Sequence, residues 1–152
     1  MMVYLAGVFL LALGCDRTGS AGRDEKNPDV CKVTGNPLNY LDKEIELKGK
    51  IQGFHHLIMY DDKCYGPRSS ILVWTSSDIR QIIIEKIENT GGQNLKDGNL
   101  NFIAALAGKL ERVNHIDPSK SCYAPPDVVS SQIEYCLSVS SVSEIYSFSE
   151  NK

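Results

Sequence analysis

The sequence predicts a small, mainly β domain with one or two helices, in the order β-β-β-α-β-β, behind a cleaved export signal. Three observations predict it: an apolar N-terminal run that ends in a cysteine, several segments in which apolar and polar residues alternate, and one segment with apolar residues at helical spacing. The chain has 152 residues, of which 42% are hydrophobic, enough for one domain with one core.

The chain begins with an apolar run over residues 1–13. This run is shorter than the roughly 20 residues of a membrane-spanning helix, and it has the length of the apolar part of a secretory signal. The sequence Leu-Ala-Leu-Gly-Cys at residues 11–15 resembles a bacterial lipobox. The resemblance implies that residues 1–14 are removed and that Cys15 is acylated, which would attach the protein to the lipid bilayer. The alternatives are a cleaved signal that leaves Cys15 as an ordinary thiol, and an N-terminal core helix.

The segment that starts at Cys15 predicts a tether. Residues 16–28 are rich in Gly and in charged side chains and contain no aliphatic side chain larger than that of Ala21. Such a composition favours a flexible chain. We therefore expect three parts: a signal peptide at residues 1–14, a lipid-anchored tether at residues 15–28, and an exported domain at residues 29–152 that faces the periplasm.

Charge and cysteine content both fit an exported domain. The formal net charge is −3, whereas nucleic-acid-binding domains present a basic face, so no nucleic-acid partner is expected. Apart from Cys15 there are four cysteines, which favours two disulfides in an oxidising compartment, although three connectivities are open. Cys122 and Cys136 flank a proline-containing loop, so we pair them, which leaves Cys31 with Cys64. Zinc binding is the alternative, but the paired C-x₂-C spacings of a zinc site are absent.

The first elements are a short helix and a strand. Residues 29–41 are broken by a glycine and a proline, which indicates a short helix that ends near Gly35 and then a turn. Residues 44–53 alternate between apolar and charged side chains, which predicts a strand with one buried face. Gly49 and Gly53 fall on the apolar parity, where a small residue allows curvature or close backbone approach.

Two strands and a helix follow. The apolar runs at residues 56–60 and 70–75 predict the second and third strands. The period then changes, because isoleucines recur at i, i+3, i+4 and i+8 from Ile79. This spacing predicts a helix with Ser77 as its N-cap and the glycine pair at residues 91–92 as its stop. A strand is the alternative, since isoleucine lowers helix propensity.

Two further strands complete the predicted domain. Residues 100–110 and 133–139 both place apolar side chains on one parity. Residues 142–148 either extend the last strand across a bulge or form a separate short piece. Residues 114–131 contain three prolines and one cysteine, which predicts a long hairpin loop between the two strands.

The order β-β-β-α-β-β is that of an OB-fold, a five-stranded Greek-key barrel. The chain also resembles small bacterial lipoproteins with OB-like domains, in which Asn-Pro and Tyr precede an alternating strand that ends in Gly, and a later strand is followed by acidic residues and Cys. The matching elements are Asn36-Pro37, Tyr40, residues 45–53 and residues 60–64. The resemblance implies an OB-like barrel over residues 30–148. A β-sandwich or another small open barrel is the alternative.

Aromatic residues provide a candidate ligand-binding surface. OB-folds bind ligands on the face of strands two and three. On this chain that face would gather Tyr60, Tyr65, Arg68 and Trp74, with Phe54 and His56 nearby. Aromatic rings beside an arginine can stack on a sugar ring or hold a peptide. The alternative is that Trp74 and Phe54 belong to the barrel core or close one of its ends.

The remaining polar clusters favour solvation over chemistry. Adjacent residues of a strand point to opposite faces, so His55 and His56 cannot bind one metal together unless a distant residue such as His115 joins one of them. The pair Asp61-Asp62 is followed by a lysine, which is typical of a solvated turn.

The sequence therefore predicts a membrane-anchored envelope lipoprotein with a binding or accessory role. It is expected to act without catalysis, metal or cofactor, and its partner is an envelope protein or glycan. The alternative is an envelope metal-binding protein or enzyme that uses His55, His56 and His115.

Overall fold

A computed structural model describes residues 27–53, 55–64, 69–90, 100–127 and 129–146. The elements are α1 (Val30–Gly35), a 3-10 turn (Pro37–Asn39), β1 (Glu44–Gly53), β2 (Leu57–Tyr60), β3 (Ser70–Trp74), α2 (Ser77–Asn89), β4 (Leu100–Arg112) and β5 (Tyr135–Tyr146). The predicted mainly β order is confirmed, including the short helix that ends at Gly35. The predicted signal, Cys15 and most of the predicted tether lie outside the described residues. Neither helix described has the length and apolar character that crossing a bilayer requires.

The five strands form one mixed sheet that closes into a ring in the order β1-β2-β3-β5-β4. All neighbours are antiparallel except β3 and β5, which run parallel. The two-sheet sandwich that the sequence also allowed is therefore wrong, because one sheet bends round on itself.

The strand register defines two ends of the ring. At one end Gly53 pairs with Leu100, and β3 runs into α2, so we call this the α2 end. At the other end Tyr60 pairs with Ser70 and Arg112 pairs with Tyr135. We call this the α1 end, because the disulfide between Cys31 and Cys64 joins α1 to the segment that follows β2.

Helix α1 covers a gap that the short strand β2 leaves beside β1. β2 pairs only with the second half of β1, from Lys50 onward, while Asp29 bridges to Lys48 in the first half. A Cβ atom at Gly49 would lie 2.7 Å from Cγ of Met59 and 3.0 Å from Cγ2 of Val30. Because Gly49 has no side chain, α1, β1 and the Met59 side chain can approach one another closely, as the sequence predicted.

Helix α2 is amphipathic and packs against the ring. Its Ile83 and Ile87 are buried, whereas Ile82 is 41% exposed. The helix is confirmed, but the predicted cap is off by one residue: the hydroxyl of Ser76 accepts a hydrogen bond from the Ile79 amide at 3.3 Å, so Ser76 and not Ser77 is the N-cap. The predicted stop at residues 91–92 lies outside the described residues.

Strands β4 and β5 form the longest ladder. The register shifts between Ala105 and Leu106 and again between Ala107 and Gly108. These bulges let β5 continue as one strand to Tyr146, so the predicted extension of the last strand is confirmed as far as the described residues reach.

Buried side chains form two clusters. The inner core lies inside the ring and contains residues of all five strands and both helices, among them the fully buried Phe102, Leu106 and Leu137. The outer cluster lies on the opposite face of β3 and β5, beneath the loop at residues 113–134. It comprises Leu72, Cys122, Ala124, Val129, Ile133 and Cys136.

Both predicted disulfides are confirmed. Cys31 of α1 is bonded to Cys64 after β2, with the Cα atoms 5.1 Å apart. Cys122 in the loop is bonded to Cys136 on β5, with the Cα atoms 5.8 Å apart. One bridge therefore fixes the N-terminal helix to the ring, and the other fixes the β4–β5 loop to the outside of the sheet.

Candidate functional site

Tyr60 and Trp74, the described members of the predicted aromatic surface, lie at opposite ends of the strand pair. Both residues alternate out of the ring on the outer face, but Tyr60 pairs with Ser70 at the α1 end whereas Trp74 ends β3 at the α2 end. Four residues along a strand span about 13 Å. The structure therefore separates Tyr60 from Trp74, and the predicted Tyr65, Arg68 and Phe54 lie outside the described residues.

Trp74 lies outside the core enclosed by the ring. It is half-buried and packs against the outer cluster, together with Ile58 and Val113, rather than inside the ring. The prediction that Trp74 lies in the barrel core is therefore wrong. The reason is that the middle of β3 is buried on both faces, since Ile71 points into the ring and Leu72 points out beneath the loop.

The β4–β5 loop (residues 113–134) packs on β3 and is bonded to β5 through Cys122, and hydrogen bonds within the loop set its shape. The amide of Asn114 donates to the Cys122 carbonyl at 2.9 Å, and the Ala124 amide donates back to the Asn114 carbonyl at 2.9 Å. The His115 ring Nδ1 lies 2.6 Å from the Ala124 carbonyl oxygen. The loop thereby covers part of the face on which the sequence placed a ligand.

The tip of this loop is set by side-chain contacts with the backbone. The Asn114 side-chain oxygen accepts from the amides of Ile116 and Asp117, at 2.9 and 3.1 Å. Asp117 accepts from the Ser119 amide at 3.0 Å and from its hydroxyl at 2.6 Å. These bonds favour the ionised carboxylate, so the pKa of Asp117 lies below its usual range.

The three histidines are placed at two different ends of the ring. His55 and His56 join β1 to β2 at the α2 end, whereas His115 follows β4 at the α1 end. Among the described residues, no group of three or more His, Cys, Asp or Glu side chains is close enough to hold a metal ion.

The acidic pair after β2 forms a solvated turn, as the sequence indicated. Asp61 accepts a hydrogen bond from the Lys63 amide at 2.9 Å, and Asp62, which is exposed, pairs with Lys50 of β1. The hydrogen bond to Asp62 raises the pKa of Lys50. Asp61 and Asp62 thus stabilise the turn after β2 and its contact with β1.

A small cleft opens at the α1 end of the ring, and we call it the α1 cleft. Its volume is about 200 Å³. Its lining comes from α1, the 3-10 turn, the start of β3 and the region where the β4–β5 loop enters β5. The lining residues are Thr34, Gly35, Pro37, Ser70, Gln132, Glu134 and Tyr135.

The walls of the α1 cleft are held by interactions outside it. The Thr34 hydroxyl donates to the Val30 carbonyl at 2.9 Å, and the Glu134 carbonyl accepts from the Val113 amide at 3.0 Å. The guanidinium carbon of Arg112 lies 5.7 Å from the centroid of the Tyr135 ring, within the range of a cation–π contact.

The sequence analysis assigned none of the residues of this cleft to a site. Pro37 was noted only as part of the motif that resembles small bacterial lipoproteins. Gln132 and Glu134 read as the solvent-facing positions of a strand, and Thr34 as part of a short helix. One signal pointed toward the cleft: the predicted bond between Cys31 and Cys64 brings α1 beside the segment between β2 and β3. The contribution of residues 132–135 follows only from the ring topology.

No protein-family profile matches this sequence, and neither the curated proteins nor the solved structures contain a significant match.

Proposed function

We propose that this chain is an exported, lipid-anchored protein whose ring is an OB-like Greek-key barrel and which acts by binding a protein or glycan of the cell envelope. The observation that carries the proposal is the bridging of both cysteine pairs, Cys31 with Cys64 and Cys122 with Cys136. Disulfides of this kind persist in oxidising compartments such as the periplasm and are rare in the cytosol.

The strand order supports the OB-like part of the proposal. Five strands close in the order β1-β2-β3-β5-β4, and the longer helix stands between the third and fourth strands. An OB-fold is a five-stranded Greek-key barrel of this size.

The N-terminal sequence supports the anchoring part. The lipobox-like residues 11–15 would leave acylated Cys15 at the start of the mature chain. Pro28 is buried and residue 29 bridges to β1, so the tether between the bilayer and the ring would comprise residues 15–27. More than one acyl chain is needed for stable anchoring, and a lipoprotein cysteine meets that need.

The α1 cleft supports a binding role. It is a concave surface with hydroxyl, amide and carboxylate groups, and its walls are tied down by both disulfides. A tethered domain with such a surface gains effective concentration at the membrane without any catalytic step. The alternative of a metal-binding protein or enzyme built on His55, His56 and His115 has no specific observation in its favour, so it is not proposed.

The direct test is the intact mass of the protein purified from its own membranes, with and without reductant. We expect a chain that starts at acylated Cys15 and gains about four mass units on reduction, because each of two disulfides takes up two hydrogens. The Cys15→Ser variant is the matched control and should lose the acyl mass, because it has no thiol at residue 15 to be acylated. An unacylated chain that retains residues 1–14, or one with free thiols, would contradict the proposal.

A further inference from the structure

We infer that the α1 cleft is the ligand site and that it takes a single pyranose unit of a glycan. This inference rests on the proposed function, since it assumes a binding protein of the envelope. It adds the location of the site, the size of the bound group and its chemical class.

The volume of the cleft limits the ligand to one ring. The cleft measures about 200 Å³, whereas pockets for drug-sized ligands span roughly 300–1,000 Å³. One pyranose ring and its hydroxyl groups suit this space, and an extended chain does not. A glycan would therefore contact the site through one residue and leave the rest outside.

The polar groups of the lining suit hydroxyl groups. The residues that line the cleft include Ser70 and Tyr135, which carry hydroxyls, Gln132, which carries an amide, and Glu134, which carries a carboxylate. Hydroxyl and amide groups both donate and accept, and a carboxylate has about four lone-pair positions, so it can accept from a sugar hydroxyl while it keeps another partner. Pyranose hydroxyls also donate and accept, which makes the two sets complementary.

The pairing of the nearby strands disfavours an extended peptide. Peptides that bind sheets add a strand at an unpaired edge. β3 pairs with β2 from Ser70 to Val73 but with β5 only from Leu72 onward, so beside the cleft residues 70–71 of β3 have no ladder partner on β5. Within the described strands, this unpaired stretch of two residues is shorter than the roughly three residues of the shortest usual strands, so it offers little backbone edge to an added peptide.

Both disulfides prepare the site before a ligand arrives. Cys31 fixes the helix that carries Thr34 and Gly35, and Cys136 fixes the start of the strand that carries Tyr135. A site whose walls are already ordered loses less conformational entropy on binding. This matters for a shallow cleft, which has few contacts to offset such a loss.

The variant Gly35→Leu provides a selective block. Gly35 lines the cleft, a Cβ atom there would meet no heavy atom within 4 Å, and the residue ends a helix without a positive φ, so we expect a larger side chain to occupy the cleft at little cost to folding. The matched control is Asn39→Leu, which adds an apolar side chain to the exposed Asn39 of the 3-10 turn, outside the cleft. Thermal melting of all variants checks that each one folds.

The experiment titrates the full chain, purified in detergent, with N,N′-diacetylchitobiose, lactose and a tetra-alanine peptide, and follows binding by NMR and calorimetry. We expect at least one disaccharide to bind, Gly35→Leu to weaken it at least tenfold, Asn39→Leu to change it less than twofold, and Tyr135→Phe to weaken it several-fold at unchanged melting temperature. Binding of the peptide alone, sugar binding that Gly35→Leu leaves unaffected, or no binding of either sugar would overturn the inference. The mass measurement above is independent, so acylated, bridged protein that binds neither sugar would refute the site and not the export.

Discussion

The inner core and the outer cluster differ in what holds them closed. The inner core is enclosed by five strands and two helices, and its largest side chains, such as Phe102 and Leu47, are fully buried. The outer cluster lies under a single loop and contains small residues, such as Ala124, and both partners of one disulfide. The burial of apolar surface stabilises the inner core. The outer cluster buries too little apolar surface to order a long loop without a covalent bond.

This difference explains the two cysteine pairs. The Cys122–Cys136 bond closes the outer cluster directly, since both of its cysteines are members of that cluster. The Cys31–Cys64 bond instead attaches α1, whose Val30 and Val33 belong to the inner core, to the ring. We therefore expect the inner core to be more sensitive to a change in its packing than to the loss of a disulfide. We expect the outer cluster to be more sensitive to the loss of its disulfide than to a change in its packing.

The largest effect should come from a charge placed in the inner core. Ile83→Asp buries an unpaired carboxylate at a fully buried position, and we expect it to lower the free energy of unfolding by more than about 4 kcal/mol. Ile82→Asp on the same helix is the control, because Ile82 is partly exposed, and it should cost less than about 1 kcal/mol. Urea unfolding followed by circular dichroism measures both. Equal losses would mean that α2 does not present Ile83 to the core.

Removal of the outer disulfide should have a smaller and more local effect. Its closed loop has a sequence separation of 14, for which the chain-entropy estimate is about 3 kcal/mol. Cys122→Ser, Cys136→Ser and the double variant should lose the same free energy of unfolding, because each removes one shared bond. Hydrogen exchange should speed up in residues 113–134 while β1 and β4 stay protected. Additive losses, or equal deprotection of β1, would contradict the separation of the two clusters.

A steric clash at Gly49, where α1 contacts the ring, should lower the free energy of unfolding by a smaller amount. Gly49→Ala places a Cβ atom 2.7 Å from Cγ of Met59, and we expect a loss of about 1–3 kcal/mol. Gly35→Ala is the matched control, because a Cβ atom there has no neighbour within 4 Å, and it should cost nothing measurable. If a smaller side chain at residue 59 restores the stability of Gly49→Ala, the contact with Met59 is the cause.

The smallest effect concerns acid and the tip of the β4–β5 loop. Hydrogen bonds from Ser119 lower the pKa of Asp117 in the folded protein. A depressed folded pKa contributes stability above the unfolded pKa, and this contribution is lost as the pH falls through the folded pKa. Amide protection at Ser119 should therefore decrease only in the acidic range below the usual carboxyl pKa. NMR titration checks this; Ser119→Ala should raise the pKa of Asp117, and an unchanged pKa would show that the bonds are absent in solution.

The candidate site was predicted less well than the fold, and the burial of β3 shows why. The run Ile71-Leu72-Val73 is apolar at three consecutive positions, which is a signal for a strand buried on both faces. The sequence contains that signal, but it does not name the segment that covers the second face. Placing Trp74 in the core was therefore wrong, because Trp74 borders a cluster under a loop from another part of the chain.

The local features of this protein follow from the sequence alone: the two-residue period of β1 and β4, the helical spacing of α2, the stop of α1 at Gly35 and the even number of cysteines after Cys15. These features depend on neighbours a few residues away, and so they can be read along the chain. Only the tertiary structure decided the closure of the ring, the cover over the outer face of β3, and the meeting of Thr34, Ser70 and Tyr135 at one cleft. These arrangements depend on strand order and on which loop lies over which face, and the alternation of one strand carries no information about either.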